Sequence, residues 1–193
     1  KKIYAALLQS SAYIHESINS GQSVWIAQAE GRAKDGIDVT DPAIVKMFAL
    51  ANRKAPISQI VSDLSIVPVA ISYEYDPCDY LKAKELTAVE EKGSYQKPPG
   101  EDLLSLVKGL GEYKGKVYLR CGQRLEGDFE TPEEVASELD KQILENYQLY
   151  DINYWALSKL ASQGDEKYAK VWQSVREEGS LSDVSLYEAR MNE

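Results

Sequence analysis

The residues with the clearest chemical potential lie in one short stretch near the amino terminus. Glu30-Gly31-Arg32-Ala33-Lys34 follows an apolar run that begins at Ser23. Glycine allows a close approach of backbone N–H groups, arginine offers a planar fork of donors, and lysine adds a second cation. Donors and cations of this kind bind phosphate oxygens. The stretch Glu30–Lys34 therefore predicts a phosphate-binding loop.

The elements that would position this loop are two predicted strands. Ser23–Ala29 and Ser65–Tyr73 are both apolar over nearly their whole length, which is typical of strands buried on two faces. The second contains Pro68, which we expect at a bulge or a strand edge. Asp41-Pro42 predicts the start of a helix between them, and such a helix supplies the crossover that parallel pairing needs. We therefore predict neighbouring parallel strands in an α/β fold, with a mostly parallel sheet flanked by helices.

Two loops follow the carboxyl ends of these predicted strands. They are Glu30–Lys34 and Tyr73–Cys78. Ligands of open α/β sheets collect outside the carboxyl ends of the strands. We therefore expect both loops to line one crevice.

Together, the two motifs resemble the third and fourth sequence blocks of the PlsC-like glycerolipid acyltransferases. The third block commonly reads Phe-Pro-Glu-Gly-Thr-Arg-Ser-Lys-Asp-Gly, and its last five positions align with Arg32–Gly36, where Ala33 replaces Ser. The Glu-Gly of the block matches Glu30-Gly31 after a shift of one residue. The fourth block is an apolar strand that carries a proline, here Pro68.

The resemblance implies both an activity and a set of binding residues. The implied reaction transfers an acyl group from acyl-CoA or acyl carrier protein to the hydroxyl of a glycerol-phosphate or lysophospholipid acceptor in phospholipid synthesis. The implied acceptor-binding residues are Glu30, Gly31, Arg32, Lys34 and Pro68. No cofactor is implied.

The catalytic pair of that family is missing from these residues. In the family, a histidine followed five residues later by aspartate acts as the general base, upstream of the phosphate-binding block. His15 is the one histidine here, and the residue five positions on is Ser20. We therefore name no catalytic residue and interpret His15 as a surface or core-edge side chain. Since the chain opens on Lys1-Lys2, we expect a longer protein that carries the catalytic block upstream, and a fragment that is inactive and can self-associate near Ser23–Ala29.

Composition and charge narrow the class of partner. The chain has 193 residues and a net charge of −9, and its pI is near 4.8. This charge argues against nucleic acid and against a broad grip on anionic lipid. No apolar run approaches the ~20 residues of a membrane span. We expect a cytoplasmic protein, with peripheral contact at the cytoplasmic membrane face through the expected upstream segment.

Cys78 and Cys121 form no Cys-x-x-Cys pair, so we expect reduced thiols and no metal site.

The rest of the sequence predicts more helices than strands. The predicted helices cover residues 1–19, 41–52, 57–64, 80–91 and 101–110, and a further strand covers 116–121. Thr131-Pro132-Glu133-Glu134 is a capping box that starts a helical tail, which we expect to break at Gly164 and Gly179. We predict an acyltransferase part over residues 1–130 and a helical appendage over 131–193 that packs on it.

Two other classes of function remain open. One is another phosphate-binding α/β enzyme, although the chain has neither a Gly-x-x-x-x-Gly-Lys-Ser/Thr loop nor a Gly-x-Gly-x-x-Gly motif. The other is a non-catalytic interaction module, for which the acidic helical tail is the positive evidence.

Overall fold

A computed structural model describes residues 2–29, 39–164 and 166–177. Within these ranges the chain is mostly helical and has one two-stranded sheet. The helices are α1 (Lys2–Asn19), α2 (Pro42–Phe48), α3 (Ile57–Leu64), α4 (Asp79–Lys92), α5 (Glu101–Gly111), α6 (Pro132–Asn146), α7 (Asp151–Ser162) and α8 (Glu166–Glu177), and a 3₁₀ turn, Ala49–Asn52, follows α2. The strands are β1 (Val69–Tyr73) and β2 (Val117–Cys121).

The predicted α/β fold with a mostly parallel sheet is wrong. β1 pairs with β2, and the pair is antiparallel. The backbone N–H of Gly122 donates to the carbonyl of Pro68 at 2.8 Å, and that of Glu74 donates to the carbonyl of Lys116 at 2.9 Å, so the chain directions are opposed. The two segments are linked through the α4 and α5 region, which is long enough to bring β2 back beside β1 from the other direction.

The first predicted strand, Ser23–Ala29, is also wrong. It forms no strand, and the predicted parallel partnership with β1 fails with it. Trp25 is 68% exposed and Ile26 is 38% exposed, so no sheet buries this segment. An apolar run of this length predicts a buried element but does not identify what buries it.

By its internal contacts, the chain divides into two compact units. The first unit comprises the described residues of Lys1–Ala70, Tyr80–Pro98 and Leu119–Tyr147. The second comprises those of Ile71–Asp79, Pro99–Tyr118 and Gln148–Glu193. The boundary passes through both strands. The predicted division at residue 130 is not tested by this partition and stays a prediction.

The first unit holds the apolar core. One cluster joins buried side chains of α2, α3, α6 and the segment before α6; its members are Val45, Val61, Leu125, Val135 and Leu139. A second cluster joins α1, α2 and α3 through Ile14, Phe48, Ile60 and Leu64. Ile57 and Ile66 pack against both clusters, so the two are continuous.

Helix starts in the first unit follow the predicted capping chemistry. The Asp41 carboxylate accepts a hydrogen bond from the Ala43 N–H at 2.8 Å, and Pro42 opens α2. The Thr131 hydroxyl accepts from the Glu134 N–H at 3.2 Å at the start of α6. The Glu134 carboxylate reaches back to the N–H of Glu130, one residue before the cap, so the box is closed one position early.

The second unit contains α5, α7 and α8. α7 packs against α8, and Gly164, with a φ of 92°, lies in the turn between them, which confirms the predicted break. A further break at residues 147–150 separates α6 from α7 and was not predicted. Gly179 lies outside the described residues. No helix in the described part of the chain is long and apolar enough to cross a membrane.

Candidate functional site: the base of the predicted phosphate loop

Four of the five predicted binding residues, Glu30, Gly31, Arg32 and Lys34, lie outside the described residues. The chain on both sides of them is described, as far as Ala29 and from Val39 onward. The described part of the candidate site is its base, where the chain leaves and re-enters the described residues. The expected crevice with Tyr73–Cys78 depends on the same residues and stays a prediction.

The two ends of the segment meet at one point. The backbone N–H of Asp41 donates to the carbonyl of Gln28 at 2.9 Å. The chain therefore leaves and returns at the same place, as in a loop closed at its base. We call the residues that hold this closure, Gln28, Thr40, Asp41 and Asp140, the loop neck.

Asp140 of α6 fixes the returning end of the loop neck. One carboxylate oxygen, Oδ1, accepts from the Thr40 backbone N–H at 2.9 Å and from the Thr40 hydroxyl at 2.6 Å. Thr40 is 2% exposed and Asp140 is half-buried, so both hydrogen bonds are partly shielded from water. Hydrogen bonds to an ionised acceptor are stronger than those between neutral groups. The base of the loop is thus anchored to a helix from a distant part of the chain.

The helix that follows the loop neck is held on α6 as well. Val45 of α2 and Val135 of α6 belong to the same core cluster. Lys46 Nζ lies 2.7 Å from Glu133 Oε1. The hydrogen bond from Lys46 holds the pKa of Glu133 below its usual value, with a further contribution from a backbone N–H. α2 and α6 therefore form a packed pair that holds the returning end of the chain at Thr40 and Asp41.

The chemistry of the loop neck limits what the site can do by itself. Its four residues contribute a carboxylate pair, an amide and a hydroxyl, and no cation. The Asp140 oxygen that faces Thr40 is already occupied by two donors. An anion bound here would need its positive charges from the loop, where Arg32 and Lys34 are the cations of the motif.

Pro68 is described and lies directly before β1. It is buried, and its carbonyl accepts from the Gly122 N–H at 2.8 Å. A Cβ added to Gly122 would come within 2.8 Å of Pro68 Cγ, so the two residues pack closely. The predicted strand Ser65–Tyr73 begins only at Val69, so Pro68, which has no N–H to donate, lies just before the strand rather than within it. Its role in substrate binding stays a prediction.

His15 makes a hydrogen bond that links α1 to the end of α2. Its Nε2 lies 2.9 Å from the carbonyl oxygen of Phe48, and the Ser11 hydroxyl donates to the same oxygen at 3.0 Å. Because a carbonyl only accepts, Nε2 must carry the hydrogen. The side chain is half-buried at the joint between α1 and the end of α2, which confirms the core-edge interpretation.

The two cysteines are both free thiols. Cys78 is buried, and its sulfur lies 3.3 Å from the carbonyl oxygen of Ser105, whereas Cys121 is exposed. In the described ranges, no group of three or more His, Cys, Asp or Glu side chains is arranged to hold a metal ion.

Sequence reasoning missed the anchoring pair of the loop neck. Thr40 and Asp140 are 100 positions apart, and neither belongs to a recognisable motif. The sequence offered only a weak local signal: Thr40 comes directly before the Asp-Pro start of α2, where its backbone N–H lies outside the helix and needs another acceptor.

No protein-family model, curated protein or solved structure matches this chain. The resemblance to the PlsC-like acyltransferases therefore depends on the two motifs alone.

Proposed function

We propose that this chain carries the acceptor-phosphate site of a glycerolipid acyltransferase. In this proposal Arg32 and Lys34 bind the phosphate of a glycerol-phosphate or lysophospholipid, supported by Glu30, Gly31 and Pro68. The observation that carries the proposal is the closure of the chain between Gln28 and Asp41, which lies at the base of the motif. Acyl-CoA or acyl carrier protein is the proposed donor.

A loop closed at its base suits the recognition of a phosphate monoester. Binding costs less when less conformational entropy is lost, and a segment whose two ends are held together has less of it to lose. The arginine fork can bind two phosphate oxygens, and lysine can add a point charge to a third. A phosphate held in this way would also place the acceptor hydroxyl, which is the reacting group.

Proton transfer is assigned to residues outside this sequence. The acceptor hydroxyl would attack the thioester carbonyl, the carbon–sulfur bond would break, and a histidine base would take the hydroxyl proton. His15 is a poor candidate for that base because its Nε2 hydrogen is directed at the Phe48 carbonyl. We propose a cytoplasmic location, with the acceptor drawn from the cytoplasmic membrane face.

Binding measurements on the 193-residue chain test the phosphate site directly. We expect glycerol 3-phosphate and soluble short-chain lysophosphatidate to bind, with Arg32→Ala and Lys34→Ala each weakening binding by about 10- to 100-fold, since a charge-assisted hydrogen bond contributes about 1.5–3 kcal/mol. Arg32→Lys should recover only part of the loss because the bidentate fork is gone. The exposed Lys54→Ala is the matched control. Equal losses for Lys54→Ala and Arg32→Ala, or no binding at all, would reject the site.

The loop neck offers a second test that removes no cation. Thr40→Val keeps the shape of the side chain but loses the hydroxyl hydrogen bond to Asp140. If the neck holds the loop in its binding conformation, this variant should weaken phosphate binding by a smaller factor than Arg32→Ala. Unchanged affinity in a folded Thr40→Val protein would show that the closure does not support binding.

An activity assay separates the binding role from catalysis. With acyl-CoA and lysophosphatidate, residues 1–193 should show no turnover. In a protein that also carries the catalytic block, Arg32→Ala should raise the acceptor KM strongly and lower kcat, because a misplaced phosphate misplaces the hydroxyl. Turnover by residues 1–193 that His15→Ala abolishes would overturn the assignment of the histidine.

A further inference from the structure

Helix α5 buries its small and polar side rather than its apolar side. Ser105 is 8% exposed, and its hydroxyl lies 3.5 Å from the Cys78 sulfur. A Cβ added to Gly109 would lie 4.0 Å from the same sulfur. The helix therefore packs on the Cys78 loop through the face that contains Ser105 and Gly109.

The opposite face of α5 is an exposed apolar stripe. Leu103, Leu106, Val107 and Leu110 are 65%, 54%, 59% and 76% exposed. Their spacing of three, four and seven residues places them on one side of the helix, over about 10 Å. We call these four residues the α5 seam. An apolar stripe on a helix is normally buried against another element, and a contiguous apolar patch that is exposed to water is typical of an interaction surface.

Charges along α5 indicate what covers the seam. Glu101 and Asp102 make the amino-terminal end negative. At the other end are three lysines, Lys108, Lys114 and Lys116. They outnumber the two nearby carboxylates, Glu112 and Glu74, the second of which accepts from the Lys116 N–H at 2.9 Å. A second α5 that runs in the opposite direction would place its positive end beside the first helix's negative end. The two helix dipoles would then be antiparallel, which is their favourable arrangement. The surface is therefore complementary to itself, as a two-fold interface requires.

The same charges disfavour a lipid surface. Helices that lie in a membrane interface carry Lys and Arg on their polar face. Between residues 101 and 116, three lysines stand against three acidic residues, and Lys108 is already paired with Glu112 at 2.8 Å. The whole chain carries a net charge of −9, which opposes binding to anionic lipids.

We propose that the α5 seam is a dimer interface in which a second copy of this chain packs its own α5 antiparallel to the first. The two-fold axis passes between Leu106 and Val107, so each of these residues faces the same region of the other copy. Leu103 of one copy then faces the partner's Leu110. This interface does not depend on the proposed acyltransferase function.

Oligomeric state is the first test. Sedimentation velocity over a wide concentration series should show a monomer–dimer equilibrium for the unaltered chain. Leu110→Glu should leave a monomer throughout the series. Leu144→Glu is the matched control, because Leu144 is also an exposed leucine, at 58%, and belongs to α6 rather than to the seam. A monomer at every concentration for the unaltered chain, or equal loss of the dimer with both substitutions, would overturn the proposal.

Disulfide trapping tests the direction of packing. In a Cys121→Ser background, Leu106→Cys should cross-link two copies under mild oxidation, whereas Leu103→Cys should not, because its counterpart lies at the far end of the partner's helix. Leu103→Cys combined with Leu110→Cys should cross-link again. Efficient cross-linking of Leu103→Cys alone would indicate parallel packing and overturn the geometry. Circular dichroism on each variant checks that α5 is still folded.

Vesicle binding separates the second copy from a lipid surface. Vesicles of phosphatidylcholine with phosphatidylglycerol should not co-sediment the chain. Co-sedimentation that Leu110→Glu abolishes and Leu144→Glu leaves intact would assign the seam to lipid and overturn the dimer.

Discussion

The first and second units of this chain bury different kinds of side chain. In the first unit, Val45, Ile60, Val61 and Leu125 are each 1% exposed, and Val135 is fully buried. Among the described residues of the second unit, the buried side chains are the small Ser72, Cys78 and Ser105, whereas the leucines of α5 face water. The first unit therefore has a fully buried apolar core, whereas in the described part of the second unit only small side chains are fully buried and the large apolar ones are half-buried or exposed.

The difference shows where stability and interaction reside. Burial of a large aliphatic side chain contributes about 1.5–3 kcal/mol, and the first unit has many such side chains. The second unit keeps comparable side chains exposed. We therefore expect it to be the less stable unit and the one that offers apolar surface to a partner. The loop neck belongs to the first unit, where the packed helices α2 and α6 support it.

The largest expected effect is on the free energy of unfolding, when one leucine from each unit is replaced by alanine. Leu125→Ala should lower the free energy of unfolding by about 3 kcal/mol, because it removes a buried side chain and leaves a cavity. Leu103→Ala should change it by less than about 0.5 kcal/mol, since 65% of Leu103 is already exposed. Urea unfolding of dilute protein, where any dimer has dissociated, measures both values.

The pair of variants is informative in either direction. If Leu103→Ala is as costly as Leu125→Ala in dilute protein, α5 is buried in solution within a single copy, and the contrast between the units fails. If Leu103→Ala becomes costly only at high protein concentration, the contrast holds and the seam is covered by association.

A smaller effect is expected from two buried hydroxyls. In the first unit, the Thr40 hydroxyl donates to the Asp140 carboxylate at 2.6 Å. In the second, the Ser72 hydroxyl oxygen accepts from the Gln148 N–H at 2.9 Å. Thr40→Val should cost about 1.5–3 kcal/mol and Ser72→Ala about 1 kcal/mol, because the first bond involves an ionised group and the second does not. The reverse order in urea unfolding would contradict the greater strength assigned to the carboxylate contact.

Local sequence chemistry predicted the helices well. Asp41-Pro42 and Thr131-Pro132 mark helix starts through caps that act over two or three residues, and α3 has its predicted limits at Ile57 and Leu64. These features need no knowledge of distant residues. Helix starts of this kind can therefore be derived from the sequence.

Tertiary pairing was the part that local reasoning could not supply. The apolar run at Ser23–Ala29 predicted a strand, yet β1 found its partner in Val117–Cys121 instead. For the candidate site, the motif at Glu30–Lys34 was visible in the sequence, but the role of Asp140 as the anchor of Thr40 was not. These two residues are 100 positions apart, and their pairing depends on how α2 packs on α6. The direction of the α5 stripe depends in the same way on the contact between Cys78 and Ser105.

The smallest expected effects come from one ion pair in each unit, and they act at opposite ends of the pH range. In the first unit, Lys46 joins Glu133 over 87 positions and holds the pKa of Glu133 below its usual value of 4.5. In the second, the hydrogen bond to Glu112 raises the pKa of Lys108 above its usual 10.5. A lowered carboxylate pKa stabilises the fold above about pH 4.5, and the effect is lost as pH falls through the lowered value. A raised lysine pKa stabilises it below about pH 10.5, and the effect is lost as pH rises through the raised value.

Melting temperatures as a function of pH separate these two contributions. Glu133→Gln should lower Tm slightly at neutral pH and reduce the fall in Tm on acidification, while the alkaline side is unchanged. Lys108→Gln should also lower Tm slightly at neutral pH, but it should reduce the fall in Tm at alkaline pH and leave the acidic side unchanged. Both shifts should shrink in high salt, because the pairs are exposed and therefore screened. Lys46 and Glu133 connect α2 to α6, whereas Lys108 and Glu112 are only four residues apart. The loss of the first pair should therefore lower Tm more than the loss of the second. An equal or larger shift from Lys108→Gln would mean that the second unit limits the stability of the whole chain.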